Sequence, residues 1–346
     1  MPAFAAVGSE LGFDDEAVPA WVTVPAGTTK NVLLKDAAGL DVGLRDPAAK
    51  AFLTVGQGQT SAQGRIITLT AGATPKTVFV DVRNSAGAPV VSLEVAVKTA
   101  VTLSTFIAFV FDKKHRTTPL GLSAGLQIME VANKILQPQT NLKMVRTDSG
   151  GFVLPFELPS GVPADFPPFG APPSWDRPSP GLLLCVQSRP LGPEGCMPET
   201  DIGLYKTTLE NSPKPIRLPP DKLKEMFDAI RATQALCNIV NRISPRFDYN
   251  ILFCADFDRS SGGLGATTGA FTPPAANGVE LNCCLMPPAA RGQSLAHELC
   301  HFLLRTTHVG PGRHSLGKKD LMAQAPGLDN IKIPKSQANA INPSPP

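Results

Sequence analysis

Aromatic side chains are scarce in this chain of 346 residues, with two Trp and two Tyr beside 17 Phe, and histidine occurs only five times. The formal net charge is +3 and no basic run is interleaved with aromatics, which excludes a nucleic-acid face and an electrostatic membrane-surface patch. No apolar run is long enough to span a bilayer, so no membrane insertion is expected. The opening Met1–Glu10 has neither a basic segment nor a long apolar core, so no secretory leader is expected there. A trimmed chain, a cytoplasmic protein, or one exported by a specialised route remains. Seven cysteines leave at least one thiol free, and Cys185 with Cys196 is the first pair to test for a disulfide.

What is present divides near residue 100. The length suits two domains, of about 100 and about 240 residues, each able to bury a core. Residues 1–100 carry short β-branched segments at 21–24, 31–34, 65–69, 77–82 and 90–97, separated by Gly, Ala, Asp and Asn turns. That pattern predicts a β-sandwich. A short linker near Lys98-Thr99-Ala100 leads into residues 101–346, where a buried strand is expected over 102–111, a helix over 122–136 and a strand over 142–146.

Residues 153–220 are dense in proline, which lacks the N–H a strand ladder needs, and read as an irregular insertion. Asp221 then caps a helix over 221–241. Strands follow at 249–256 and 279–285, with an edge-strand region at 262–271. The class is therefore α+β: a mixed sheet with helices, preceded by a β-sandwich. The tail, Ile341 to Pro346, is expected to be loose.

The chemistry concentrates in Ala296-His297-Glu298-Leu299-Cys300-His301-Phe302-Leu303. On a helix, positions i and i+4 share a face, so His297 and His301 can reach one metal while Glu298 addresses water on it. Catalytic zinc takes about three protein ligands and lowers the pKa of its water to around 7, which provides hydroxide at neutral pH. A carboxylate beside that water serves as general base and then as acid toward the leaving amine. Apolar residues on either side fall at helical spacing, as an inward-packed helix requires. Cys300 points off the ligand face and reads as a small buried hydrophobe.

These residues resemble the HExxH motif of the metzincin metallopeptidases, matrixin-like members in particular. The resemblance covers about residues 101 to 330, because strand, long helix, strand is also how such a catalytic domain begins. It implies a zincin-like fold, a zinc ion as cofactor, and a protein or peptide substrate lying antiparallel along an edge strand. The family's pattern places a glycine and a third histidine where this chain has Leu304 and Thr307. His308 and His314 are the alternatives for the third ligand. A helix unbroken to His308 would carry it about 16 Å beyond His297, too far to share an ion. Gly310-Pro311-Gly312 can reverse the chain and return His314, which is therefore preferred to His308. Met322, eight residues after His314, matches the spacing of the methionine that underlies a matrixin-like site. The first hundred residues look like the immunoglobulin-like modules of bacterial surface and secreted enzymes, which implies possible partner binding there.

Three functions follow from the sequence. The first is a zinc endopeptidase with His297, His301 and His314 on the metal and Glu298 as base. The second is a zinc hydrolase of a non-protein amide. The third is a binding protein with a structural or vestigial zinc, against which an intact Glu298 argues, since a structural site needs no base.

Overall fold

The computed structural model describes residues 1–111, 114–115, 117–153, 246–254, 282–304, 320–322 and 331–345, except the side chains of residues 59 and 61. Chain contacts divide the protein into two units. The first joins Met1–Thr102 with Asn133–Lys143 and Leu316–Pro346, and the second joins Leu103–Ala132 with Met144–Ser315.

The first unit contains two sheets. One has the order β1-β4-β7-β6, from β1 (Ala3–Ala6), β4 (Thr29–Lys35), β7 (Gly64–Ala71) and β6 (Leu53–Ser61). The other has the order β2-β3-β9-β8-β5, from β2 (Phe13–Asp14), β3 (Ala20–Pro25), β9 (Pro89–Lys98), β8 (Lys76–Arg83) and β5 (Asp41–Leu44). Alternate residues of both sheets meet in one core, including Val32, Leu34, Ile67 and Leu69 from the first and Val22, Val24, Val80, Leu93 and Val95 from the second. The period of two that marks these strands in the sequence is thus the period of their burial.

The five-stranded sheet is also covered on its other face, which explains why β3 and β9 bury consecutive residues. Trp21, Thr23, Glu94, Ala96 and Lys98 all lie buried outside the main apolar core. Their cover includes the C-terminal segment, with its helix α3 (Lys335–Ile341). The Lys98 amine donates to Asn339 Oδ1 at 2.9 Å and to the carbonyls of Ala338 and Asn342. Asn342 Nδ2 donates in turn to the carbonyls of Thr99 and Thr140, at 2.9 and 2.7 Å. Lys335 pairs with Glu94, and Thr77 N–H donates to Pro345 O at 2.7 Å. The tail expected to be loose is therefore bound. Polar partners inside the sandwich unit hold it, and its proline content says nothing about them.

Burial without a carboxylate partner lowers the Lys98 amine from 10.5 to about 8. Folding thus favours the neutral amine, and the unfolded chain binds more protons between those two values. The stabilising contribution is fully present above 10.5 and is lost as pH falls through about 8. Wild type minus Lys98→Met stability is expected to rise by about 2 kcal/mol between pH 8 and 10 in urea titrations; a flat difference would contradict the assignment.

The second unit is built on a four-stranded sheet of order β11-β10-β12-β13, from β11 (Leu142–Val153), β10 (Val101–Phe111), β12 (Tyr249–Phe253) and β13 (Cys283–Met286). β10, β12 and β13 run parallel, with Thr105 opposite Tyr249 and Ile251 opposite Cys284. Asp248 fixes the start of β12, accepting from Ser104 N–H and from its hydroxyl at 2.7 Å each. A parallel sheet has both faces covered, and every residue of β12 and β13 is buried.

Helix α1 (Leu122–Thr140) runs four residues beyond its expected end, through Pro138. Two side chains support that last turn: Gln139 Nε2 donates to Ile135 O at 2.7 Å, and the Thr140 hydroxyl to Leu136 O at 2.8 Å. Asn141 ends the helix at φ +54°, the left-handed cap that asparagine tolerates. Helix α2 (Gly292–Leu304) carries the histidine motif and crosses α1 at Gly292. A Cβ there would stand 2.4 Å from Val131 Cβ and 2.7 Å from Ile128 O, a backbone atom that cannot rotate away. Gly292→Ala is expected to cost about 1–3 kcal/mol through overpacking, measured by urea unfolding; unchanged stability would show that the two helices do not meet there. A Cβ at Gly125 of α1 would stand 2.9 Å from the Phe253 ring, and Phe302 of α2 meets Tyr249, so both helices lie on the face of β12 that carries its odd-numbered residues.

The architecture is mixed α and β, rich in sheet. No helix among the described residues is long and apolar enough to cross a membrane.

Candidate metal centre

Helix α2 begins with Arg291 N–H donating to the Ser294 hydroxyl at 3.3 Å, and every residue from Gly292 to His301 is buried. Leu295, Leu299 and Phe302 recur at intervals of four and three, the stripe that a helix turns toward a core. Tyr249 packs on the last of them, with ring centroids 5.6 Å apart. This packing fixes the rotation of the helix about its axis, and the rotation in turn aims the two histidines.

His297 and His301 converge. Their Nε2 atoms are 3.0 Å apart and the rings meet nearly edge to face, at 80° with centroids 4.7 Å apart. His301 is wholly buried and His297 is 7 % exposed. Two imidazole nitrogens brought this close in a buried site need a proton or a cation between their lone pairs. Two nitrogens at ~2.0–2.1 Å from one tetrahedral zinc would stand about 3.3 Å apart, close to the 3.0 Å between these two.

Glu298 follows His297 and is likewise buried, at 5 % exposure. Its charge reaches the Tyr249 hydroxyl and the Cys284 thiol. Burial raises both of those groups above their ordinary pKa values, and the negative charge of Glu298 raises them further. Cys300, also buried, is pushed up to about 12 by burial and is held as an unreactive thiol, as its spacing in the motif predicts.

Of the other expected site residues, Met322 alone lies among the described residues. His308 and His314 lie outside the described residues, as do Cys185, Cys196, the helix at 221–241 and the edge-strand region at 262–271. Met322 is buried within the first unit, where Leu321 N–H donates to Lys332 O at 2.7 Å. Among the described residues no group of three or more His, Cys, Asp or Glu is arranged to hold a metal ion. The two imidazoles of α2 are nitrogen donors of the kind a borderline-soft divalent ion such as zinc accepts.

Tyr249 has no place in a reading of the sequence beyond that of a strand residue. Its one distinguishing signal there is rarity, since the chain has only two tyrosines.

No protein-family model matches this chain, and no curated protein matches it significantly.

Proposed function

We propose that this protein is a zinc-dependent endopeptidase with a zincin-like catalytic unit and an immunoglobulin-like β module. The observation that carries the reading is the buried convergence of His297 and His301 at 3.0 Å, with Glu298 beside them on the same helix turn. The strand, long helix, strand order of β10, α1 and β11, followed by α2 after β13, supports the zincin-like part. The two-sheet core of residues 1–102 supports the other.

In this reading His297 and His301 hold the ion through Nε2, with His314 as third ligand and His308 as its alternative. A bound zinc ion supplies Lewis acidity, acidifying water and polarising the scissile carbonyl. Glu298 takes a proton from the attacking water and returns it to the leaving amine. Its burial keeps the carboxylate poorly solvated and so strengthens its interactions at the site. A protein or peptide substrate, bound through its backbone, is the partner implied.

Metal removal is the direct test. Chelation is expected to abolish hydrolysis of a peptide library, and added zinc to restore it; hydrolysis indifferent to chelation would end the proposal. For the third ligand, zinc affinity should collapse in His314→Ala and hold in His308→Ala, and the reverse result would reassign it. A library left intact by the zinc-loaded protein, with a non-peptide amide cleaved instead, would favour the second function.

A further inference from the structure

The end of the β-sandwich where β3 and β9 begin carries an open groove of about 590 Å³, within the ~300–1,000 Å³ range of ligand sites. Its lining is mostly apolar and includes Phe4, Pro19 and Val91. Two further aliphatic side chains of the groove reach into solvent: Val18 is 97 % exposed and Val90 44 %. Neither belongs to the apolar core of the sandwich. The fold gains little from them there, whereas an apolar partner would bury both.

The two sides of the groove carry opposite charge. Arg45 lines one side, its guanidinium 4.4 Å over the Phe79 ring. Asp81 accepts from Nε and Nη2 at 3.0–3.2 Å, and Ser92 Oγ accepts from Nη2 at 2.9 Å. Nη1 takes part in none of these bonds, so a guanidinium already held in place keeps donors for a ligand. Arg83 also pairs with Asp81, at 3.7 Å, so two cations share one buried carboxylate. Asp15 lines the other side and pairs with Lys332 at 3.1 Å. Its chain neighbours Asp14 and Glu16 bring three carboxylates to that amine.

Strand register sets the distance between the two charges. Asp14 of β2 stands opposite Trp21 of β3, and Trp21 opposite Glu94 of β9, while the guanidinium reaches Ser92 of β9. Asp15 and the guanidinium are thus about two strand spacings apart, roughly 10 Å. Three extended residues cover that distance.

We propose that this groove binds an extended segment of a partner protein in which a basic and an acidic residue stand about three positions apart among aliphatic ones. The acidic residue meets Arg45, the basic one meets Asp15, and the aliphatic side chains cover Val18 and Val90. Opposite charges at the two ends fix the direction in which the segment lies. The site belongs to the β module and does not depend on the zinc reading.

The test uses the full-length protein carrying Glu298→Ala, so that no bound peptide is cut by the proposed base. The probe is an array of octapeptides with a lysine and a glutamate three positions apart, in either order, among varied Ala, Val, Ile and Leu. Matching arrays carry glutamine in place of one charge or both. Binding is expected on the charged array in one order of the two charges, about tenfold weaker when either is replaced by glutamine, and unchanged by chelation. Val18→Lys and Val90→Lys should each abolish it without lowering the melting temperature, because both side chains are exposed. Asp15→Lys should move the preference to peptides with glutamate in place of lysine.

An array that binds nowhere would overturn the proposal, as would binding indifferent to the glutamine replacements or to both valine variants. Sedimentation of the free protein provides the remaining check: a dimer dissociated by Val90→Lys would assign the groove to a second copy of this chain instead.

Discussion

Replacing His301 with Ala is expected to remove zinc from the purified protein, whereas Glu298→Ala retains it at one equivalent, and casein cleavage is lost in both. The asymmetry follows from the positions of the side chains. His301 is wholly buried with its Nε2 against that of His297, so truncation deletes a donor that no solvent-exposed group can replace. Loss of an outer-shell partner alone typically costs 10–100-fold in metal affinity, and loss of a ligand should exceed about 100-fold. Glu298 stands on the same turn without sharing the Nε2 contact, so its removal should spare affinity and lower kcat by about 10²–10⁴-fold, the range of a positioned general base. Zinc content by mass spectrometry and casein assays on the same preparations separate the two effects. Cleavage surviving in Glu298→Ala would remove the proposed base, and zinc surviving in His301→Ala would remove the proposed site.

Deleting residues 331–346 should unfold the first unit, although the sequence presents the end of this stretch, residues 341–346, as a loose tail. The deletion strips Lys98 of all three of its acceptors on the tail: Ala338 O, Asn339 Oδ1 and Asn342 O. Hydrogen bonds from a charged donor contribute about 1.5–3 kcal/mol each, part of which water recovers once the amine is uncovered. Gln139 also loses both of its tail bonds, from Nε2 to Ile331 O at 2.8 Å and from Ile333 N–H to Oε1 at 2.7 Å. Trp21, over whose ring the Lys98 amine sits at 5.9 Å, loses cover. Against a typical domain stability of about 5–15 kcal/mol, these losses together should leave little. Near-ultraviolet circular dichroism and protease sensitivity of the truncated chain provide the check. A native spectrum would show that the tail only rests on the sandwich.

Where a side chain repeats with the period of its element, the sequence was readable. The strands expected at 21–24, 31–34, 65–69, 77–82 and 90–97 became β3, β4, β7, β8 and β9 with a residue or two added at the ends. Those expected at 102–111 and 249–256 became β10 and β12. Segments with weaker patterns were not read: β1 has only four residues, and β6 interrupts its apolar spacing with Gly56 and Gly58. The strand expected over 142–146 extends to Val153 through Gly150 and Gly151, which are poor strand formers. A side chain at either would press within 3.2 Å of a Phe ring of β10, so these glycines fit the sheet by what they lack.

The motif behaved likewise. Its spacing alone placed His297 and His301 on one helical face and turned Cys300 away, because a helix has one geometry and 3.6 residues per turn. No local rule reaches further than that. The composition break near residue 100 could not reveal that Asn133–Lys143 and Leu316–Pro346 join the first unit. Nor could it reveal that Tyr249, more than fifty residues before Phe302, would pack its ring against it. Periodicity and spacing are properties of neighbours along the chain, and the sequence by itself determined what depends on them: the strands, the two helices and the paired imidazoles. Which distant segments close over a sheet, and which buried polar atoms find partners, depends on packing among elements far apart in sequence, and only the tertiary structure decided it.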